Sequence, residues 1–270
     1  MVNLFGNGFV GKQYSKDYDC IVNDRNDLTV HAGCNQILFL ISTVDNYNVY
    51  TNPFIDVETN ITTLLRVLEN CKNKENMVFN FASSWFVYGQ VPSPIKEDSY
   101  CDPKGFYSIT KRTAEQLLIA YCETFKIKYR ILRFANVLGL NDTKVSSKKN
   151  ALTYLINRLK KGHDIELNDN GNFIRDYIHV SDLCRAINLI ITSGELNAIY
   201  NVGNQESTNF GDAIRYAKSK IDSASVIKNI PTSAANAQPK STLMDCSKLR
   251  ALGYVPQYTA RAILDELIAN

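Results

Sequence analysis

The sequence predicts an α/β protein with a Rossmann-type, doubly wound parallel sheet and a smaller α/β domain towards the C-terminus. Two observations predict this class. Short apolar runs alternate with segments of helical periodicity, and the runs are almost uninterrupted, as in parallel strands that are covered on both faces. In addition, a glycine-rich loop follows the first apolar run, where it would open the first helix of such a fold.

The elements of the first half follow from the same patterns, since apolar runs indicate strands and apolar residues three or four apart indicate helices. We expect strands at 2–5, 19–23, 36–43, 77–82 and 128–134. We expect helices at 9–16, 56–71 and 105–124. In the second of these helices the residues expected to face the core are Val57, Ile61, Leu64, Leu65 and Leu68.

The second half begins where the composition changes after Gly139. We expect helices at 151–161, 210–221 and 260–269, strands at 164–167 and 199–202, and a polar connection at 223–239. Ser181 and Asp182 would cap a further helix that ends near Thr192. We therefore expect a dinucleotide-binding domain at 1–139 with a return segment at 177–198, and a substrate-binding domain at 140–176 and 199–270.

Composition excludes several classes of function. The 270 residues are 45% hydrophobic and carry a net charge of only +3, so the sequence favours neither nucleic-acid binding nor a polybasic membrane surface. The apolar run from Ile37 to Ile41 is too short to span a membrane, and Met1 leads directly into a strand, so we expect a cytoplasmic protein. The seven cysteines are scattered and the three histidines form no ligand pair, so we expect reduced thiols and no metal.

The loop Gly6-Asn7-Gly8-Phe9-Val10-Gly11 has the Gly-x-Gly-x-x-Gly pattern of a dinucleotide site. Glycines permit a tight turn and a close approach of the backbone to a pyrophosphate, whose charge then lies at the N-terminus of a helix. After the second strand, Asp24 suits the ribose hydroxyls of NAD, whereas Arg25 suits the 2′-phosphate of NADP. We expect NAD on Asp24, and NADP stays open.

A candidate proton-transfer site lies between residues 82 and 111. Tyr107 and Lys111 are four residues apart, which places both side chains on one face of a helix, and Ser84 follows a buried strand. A tyrosine titrates near pH 10, so its use as a base near neutrality requires a pKa lowered by roughly 3 units. A nearby ammonium group and a cationic nicotinamide would shift the pKa in that direction.

Four motifs occur in the order seen in a known family. They are the octapeptide 82–89 (ASSWFVYG), the segment from Tyr107 to Lys111, the octapeptide 132–139 (LRFANVLG) and the octapeptide 175–182 (RDYIHVSD). Together they resemble the NAD-dependent epimerase/dehydratase family, the extended short-chain dehydrogenases that act on nucleotide-sugars. One departure concerns the glycine loop, because Phe5 stands where the family usually has its first glycine.

The resemblance implies a role for each matching residue. Tyr107 would be the acid or base on a sugar hydroxyl, Lys111 would lower its pKa and bind the nicotinamide ribose, and Ser84 would hydrogen-bond the same oxygen. Asn136 would contact the substrate and Arg175 its diphosphate. A salt bridge from Arg175 to Asp176 or Asp182 is the structural alternative.

The residues after Ser84 distinguish the branches of the family. Sugar 4,6-dehydratases have an Asp-Glu pair there, whereas this chain has Trp85 and Phe86, which argues against dehydration. Trp85 and Phe86 would pack against a deoxy-sugar or simply fill space. We therefore expect a nucleotide-sugar 4-epimerase, with an NAD(P)H-dependent reductase of nucleotide-4-keto-6-deoxy-sugars as the alternative. A non-catalytic dinucleotide sensor is a third reading, which the presence of Ser84, Tyr107 and Lys111 disfavours.

The expected partners are a nucleotide-diphosphate sugar and, as in many relatives, a second copy paired through helices that include the one bearing Tyr107.

Overall fold

A six-stranded parallel sheet organises the protein, described here from a computed structural model over residues 1–24, 26–44, 47–142, 145–146, 149–231 and 241–270. The order across the sheet is β10, β5, β4, β3, β1, β2, and every pairing is parallel. Its strands are β1 (Val2–Phe5), β2 (Cys20–Val22), β3 (Gln36–Phe39), β4 (Val78–Ser84), β5 (Lys128–Phe134) and β10 (Ala198–Val202). This sheet confirms the predicted Rossmann-type α/β class.

Helices cover both faces of the sheet. They are α1 (Phe9–Asp17), α2 (Phe54–Val57), α3 (Thr63–Cys71), α4 (Phe106–Phe125) and α6 (Val180–Ser193). On one face, α1 and α6 contribute Tyr14 and Ile187 to a core that includes Leu4 and Leu38. On the other face, α3 and α4 pack residues such as Leu68 and Leu118 against the alternate side chains of the strands. The expected alternation of strand and helix is therefore borne out.

A second group of elements is built around its own apolar core. Its elements are β6 (Asn136–Leu138), α5 (Ala151–Lys160), β7 (Ile165–Asn168), β8 (Ile174–Arg175), β9 (Tyr177–His179), β11 (Thr208–Asn209), α7 (Phe210–Lys220), β12 (Ile227–Ile230) and α9 (Ala260–Ala269). The short helix α8 (Ser247–Arg250) instead packs Leu249 into the core beside the main sheet. The core of the second group joins Ile156 of α5, Ile214 of α7 and Ile263 of α9. Three two-stranded sheets pair β7 with β12, β8 with β11 and β6 with β9.

The helix expected at 56–71 is interrupted. A π-turn at Glu58–Thr62 separates α2 from α3. A π-turn contains one more residue than an ordinary helical turn. The side chains of α2 therefore do not continue the apolar face of α3. Val57, expected in the core, is consequently 37% exposed, whereas Leu64 and Leu68 are buried.

Three further expectations differ from the structure. Helix α6 begins two residues earlier than expected, because the ring of His179 caps it by accepting the backbone amide of Ser181 at 3.2 Å. The polar connection expected at 223–239 contains β12, which pairs in parallel with β7. The return to the main sheet extends beyond 198, since β10 runs to Val202 alongside β5.

The described residues contain no helix long and apolar enough to cross a membrane. Within the same residues, no group of His, Cys, Asp or Glu side chains is arranged to hold a metal ion. All seven cysteines are free thiols, as expected, and five of them are buried.

Candidate active site

A single cavity of about 1740 Å³ lies at the carboxyl ends of the main-sheet strands and extends towards the second group of elements. This is the end at which open α/β sheets bind ligands, and the volume exceeds the usual range for one small ligand. Every predicted site residue in the described part of the chain lines it. The exception is Arg25, which lies outside the described residues.

The glycine loop has the geometry that its sequence predicted. Gly6 has a φ of +106°, and a Cβ there would lie 2.8 Å from the backbone nitrogen of Ile41. A Cβ on Gly11 would lie 2.1 Å from the carbonyl oxygen of Gly6, so both positions require glycine for close packing. Around Gly8, by contrast, a Cβ would meet nothing within 4 Å.

The open space at Gly8 lies over the N-terminus of α1. Gly8 is the N-cap of this helix, and because it has no side chain it makes no capping hydrogen bond to the first amides. Uncapped amides at the start of a helix attract an anion, through hydrogen bonds and through the helix dipole. The loop therefore fits the pyrophosphate of a dinucleotide.

Asp24 lies in the cavity wall after β2. Its neighbour Asn23 is buried and fixes the turn by donating to the carbonyl oxygens of Asp27 at 3.1 Å and Thr29 at 2.8 Å. Asp24 is exposed and lines the cavity. A carboxylate in this position can accept hydrogen bonds from ribose hydroxyls.

Tyr107 lies in the first turn of α4 and lines the cavity with Ser84 at the end of β4. The hydroxyls of Ser42 and Ser84 lie near its phenol, and both residues line the same cavity as Tyr107. Ser84 Oγ also accepts the backbone amide of Phe86 at 3.3 Å, which orients the hydroxyl. Burial raises the pKa of Tyr107, the two serines lower it, and the Asp56 carboxylate raises it. The structure thus brings Ser84 and Tyr107 together, but the net shift is opposite to the one that base catalysis near neutrality requires.

Lys111 is fully enclosed below the phenol. Its Nζ donates to the carbonyl oxygen of Ala82 at 2.7 Å and lies 4.2 Å from the centre of the Phe81 ring. Burial lowers the pKa of Lys111 to about 7, although Glu115 one turn along α4 partly opposes this shift. Near neutrality its ammonium group is therefore only partly charged, which weakens the expected effect of Lys111 on the tyrosine.

Glu115 joins α4 to β5 through a buried ion pair. Its carboxylate accepts Nε of Arg133 at 2.9 Å and Nη2 at 2.8 Å, a bidentate geometry. Burial opposes ionisation, but the Arg133 hydrogen bonds hold the pKa of Glu115 below its usual value. This pair fixes the helix that carries Tyr107 against the sheet.

Two aromatic rings form the wall beside the phenol. Trp85 and Phe86 stack with their ring centres 3.9 Å apart, and Phe86 meets Tyr107 edge to face at 5.9 Å. Trp85 is buried, so it is part of the packing as well as of the cavity lining.

Arg175 reaches the cavity from β8. Its Nη1 donates to the carbonyl oxygen of Ile174 at 2.8 Å, and its guanidinium stacks over Phe173 at 4.3 Å. Burial lowers its pKa to about 10, so it keeps its positive charge at neutral pH. Of the two carboxylates considered as its partners, Asp182 forms an ion pair with Arg185, and Asp176 accepts several backbone amides.

Asn136 lines the same cavity as this arginine. Its side-chain amide donates to the carbonyl oxygen of Asp176 at 3.1 Å, and so does its backbone amide. These bonds hold the side chain at the junction between β6 and β9, within reach of a ligand in the cavity.

Sequence reasoning missed three residues around Tyr107. Ser42 and Asn60 form a hydrogen-bonded pair beside the phenol, and Asp56 is a fully buried carboxylate close to it. The only signal for Ser42 was that small polar residues end a buried strand. Nothing in the helical pattern marked Asp56 or Asn60, because the π-turn that buries them was not expected.

Comparison with known families identifies the family of this chain. The model of the NAD dependent epimerase/dehydratase family matches residues 17–203. The chain belongs to this family. The match includes Ser84, Tyr107, Lys111, Asn136 and Arg175, and it begins after the glycine loop, where the chain departs from the usual spacing.

Curated relatives are similar over most of this chain. It is 27% identical over 193 residues to the ADP-L-glycero-D-manno-heptose-6-epimerase of Brachyspira hyodysenteriae, which covers 70% of this chain and 60% of that protein. It is 29% identical over 201 residues to an uncharacterized UDP-glucose epimerase of Bacillus subtilis, covering 72% of this chain and 60% of the relative. The match thus spans about three fifths of the length of these relatives.

Solved structures share the fold at lower identity. The UDP-glucose 4-epimerase of Thermotoga maritima, solved with UDP-glucose, has a TM-score of 0.87 and 21% identity, and the match covers 99% of this chain and 97% of that one. Others of the same fold were solved with NAD or with NADPH. At 21–22% identity, the structural similarity establishes a shared fold and nothing about activity.

Proposed function

We propose that this protein is an NAD(P)-dependent nucleotide-sugar 4-epimerase that moves a proton through Tyr107. One observation carries the proposal. Tyr107 and Ser84 line the same cavity as the N-terminus of α1, where Gly8 has no side chain to cap the helix. A base and a dinucleotide that share one cavity can act on the two ends of one H–C–O–H unit.

The cofactor would lie along the glycine loop. Its pyrophosphate would meet the first amides of α1 beside Gly8, and its adenosine ribose would meet Asp24. When bound, the nicotinamide supplies the acceptor and later the donor of a hydride. Asp24 and the family membership favour NAD, and NADP remains the alternative.

Proton transfer would fall to Tyr107 on the C4 hydroxyl of the sugar. Ser84 Oγ is oriented by the amide of Phe86 and can share its proton with the phenolate or with the sugar oxygen. Lys111 would bind the nicotinamide ribose while it keeps its bond to the Ala82 carbonyl. Because burial raises the pKa of Tyr107, the phenolate needs positive charge brought in by the bound ligands.

The nucleotide-diphosphate would occupy the half of the cavity between α5 and β8. Arg175 offers a planar fork of donors suited to phosphate oxygens, and Asn136 lies on the path from there to Tyr107. A homodimer paired through α4 is part of the same proposal, since Ile109 on that helix is 46% exposed.

A specific observation favours one second candidate, the 4-reductase of nucleotide-4-keto-6-deoxy-sugars. The stacked rings of Trp85 and Phe86 form an apolar wall next to Tyr107, which would suit the methyl group of a 6-deoxy-sugar. The same pair leaves no acid at the positions where dehydratases carry Asp and Glu.

Mass spectrometry of the nucleotide released on denaturation separates these candidates. An epimerase must retain its cofactor through both half-reactions, so we expect close to one NAD or NADH for each protein chain. A protein that releases no nucleotide, or only NADPH, would favour the reductase.

A further inference from the structure

The guanidinium of Arg175 lies over two aromatic rings that also line the cavity. Its Cζ is 4.3 Å from the centre of the Phe173 ring and 5.5 Å from the centre of the Trp85 ring. Both distances are within the roughly 6 Å at which the face of a ring attracts a cation. Trp85 follows strand β4 of the main sheet, whereas Phe173 and Arg175 belong to the second group of elements. The guanidinium therefore joins the two groups where they meet at the cavity.

The two rings help to balance the positive charge of a buried side chain. Arg175 is only 4% exposed, and a buried cation is costly unless nearby groups replace the water that it has lost. A cation–π contact uses the charge of the guanidinium rather than one of its five hydrogen-bond donors. The contacts with Trp85 and Phe173 therefore hold the charge without taking up the donors that phosphate oxygens require.

Trp85 is fixed in turn by the rings next to the phenol. It stacks on Phe86 with the ring centres 3.9 Å apart, and Phe86 meets Tyr107 edge to face at 5.9 Å. The hydroxyl of Ser84 accepts the backbone amide of Phe86 and so caps the turn that carries both Trp85 and Phe86. A row of ring contacts thus leads from the phenol of Tyr107 to the guanidinium of Arg175.

We propose that Trp85 is a positioning residue, whose indole holds the Arg175 guanidinium at a fixed place relative to Tyr107 for the diphosphate of the substrate. The inference rests on the proposed function, because it requires a nucleotide-diphosphate as the ligand of Arg175. It gives Trp85 a role that neither space filling nor contact with a deoxy-sugar would give, since a change in the charge of its ring should alter the affinity for phosphate groups.

The chain has a single tryptophan, so a fluorinated tryptophan supplied during expression replaces Trp85 alone. Fluorine draws negative charge from the face of the indole and changes its size little, so it weakens the attraction for a cation. Titration calorimetry of the full chain with UDP should give a Kd that rises with each fluorine, by about fivefold with 5,6,7-trifluorotryptophan. In an Arg175→Met background the same replacement should change the Kd by less than about twofold, because the ring then has no cation to hold.

Substitutions at Trp85 test the same contact with natural side chains. Trp85→Leu removes the ring and should weaken the binding of UDP by about tenfold, whereas Trp85→Phe keeps a ring and should recover most of the affinity. Phe79→Leu is the matched control, because it also removes a buried ring from β4 but lies in the core that α3 and α4 cover, outside the cavity lining. It should bind UDP as the wild type does.

Two results would overturn the proposal. The first is a Kd for UDP that fluorination of Trp85 leaves unchanged. The second is an effect of fluorination that is equally large in the Arg175→Met background, since the indole would then act on the ligand by a route that does not involve Arg175.

Activity assays separate this proposal from the proposed function. If Trp85→Leu raises the KM for the nucleotide-sugar and leaves kcat within about twofold, both stand. If fluorination weakens the binding of UDP as expected but the wild type converts no nucleotide-sugar, the positioning role stands and the proposed function fails. If the wild type epimerises a nucleotide-sugar but fluorination has no effect on the binding of UDP, the proposed function stands and the positioning role fails.

Discussion

Lys111 illustrates how burial governs the individual residues of this site. Its ammonium group is enclosed by Phe81, has one short bond to a carbonyl oxygen and lies one turn from the buried Glu115. Burial lowers its pKa to about 7, which means that the folded protein binds its proton less tightly than the unfolded chain does.

This shift predicts a pH-dependent stability. Between pH of about 7 and the ordinary lysine value, the unfolded chain holds a proton on Lys111 that the folded chain does not, so stability rises with pH. The contribution is up to about 1.4 kcal/mol for each pH unit. Lys111→Met removes it, so the free energy of unfolding from urea titrations at pH 7 and pH 9 should rise less in the variant than in the wild type.

Lys161→Met provides the control, because Lys161 is exposed beyond the end of α5. It should follow the wild-type dependence on pH. Equal slopes for Lys111→Met and the wild type would show that Lys111 keeps an ordinary pKa in the folded protein.

Motif spacing allowed part of the site to be predicted. Tyr107 and Lys111 are four residues apart on a helix, and Ser84 ends a buried strand, so their positions follow from local geometry. The roles given to them remain predictions. Ser42 and Asn60 could not be placed, because their hydrogen bonds join three elements and depend on how these elements pack rather than on any local pattern.

The glycine loop and α1 form the element whose shape is most tightly constrained. Gly11 packs its Cα against the Gly6 carbonyl, whereas Gly8 faces open space in the cavity. Two substitutions of the same kind therefore have different predicted effects.

Gly8→Ala should leave the melting temperature within a few degrees of wild type, since its backbone has a φ of −87° and there is room for a methyl group. The methyl group would occupy the space above the first amides of α1, so we expect the retained nucleotide to fall several-fold. Gly11→Ala should destabilise the fold itself, because its Cβ would lie 2.1 Å from the Gly6 oxygen. Thermal melts and the stoichiometry of released nucleotide check both results. A Gly8→Ala variant that retains its full nucleotide would show that no phosphate lies against this turn.

Elements were predictable where one local signal was strong. Strand β5 and helix α9 were predicted with the bounds they have, since both are long apolar or amphipathic runs. The π-turn was not predicted, because Val57, Leu64 and Leu68 fit the spacing of one continuous amphipathic helix. The cap of α6 was assigned to Ser181 and Asp182 on their usual preference, whereas the ring of His179 performs it.

At the scale of the whole molecule, the cavity unites segments from both groups of elements. The main sheet supplies the glycine loop and the end of β4, and the second group supplies α5, β7 and β8. The second group of elements was the least predictable part of the fold. Its strands pair over long separations, such as β7 with β12, and two-residue strands such as β8 and β11 leave no periodic signal.

Asp182 holds the segment before α9 against the start of α6. Its buried carboxylate accepts the backbone amides of Gln257 and Tyr258, each at 2.9 Å, and it pairs with Arg185. These bonds tie the segment before α9 to the start of α6. The core of the second group depends on that attachment, since Ile263 and Leu267 of α9 are part of it.

The most direct test of the proposed reaction follows deuterium at C4 of the sugar. UDP-glucose and UDP-N-acetylglucosamine, each labelled with deuterium at C4, would be incubated with the purified protein and the products analysed by NMR. An epimerase returns the same hydride to the opposite face, so we predict the C4 epimer with its deuterium retained and none with Tyr107→Phe, where general acid–base catalysis worth about 10²–10⁴-fold is lost. No epimer from either sugar, or epimer formed equally well by Tyr107→Phe, would contradict this account.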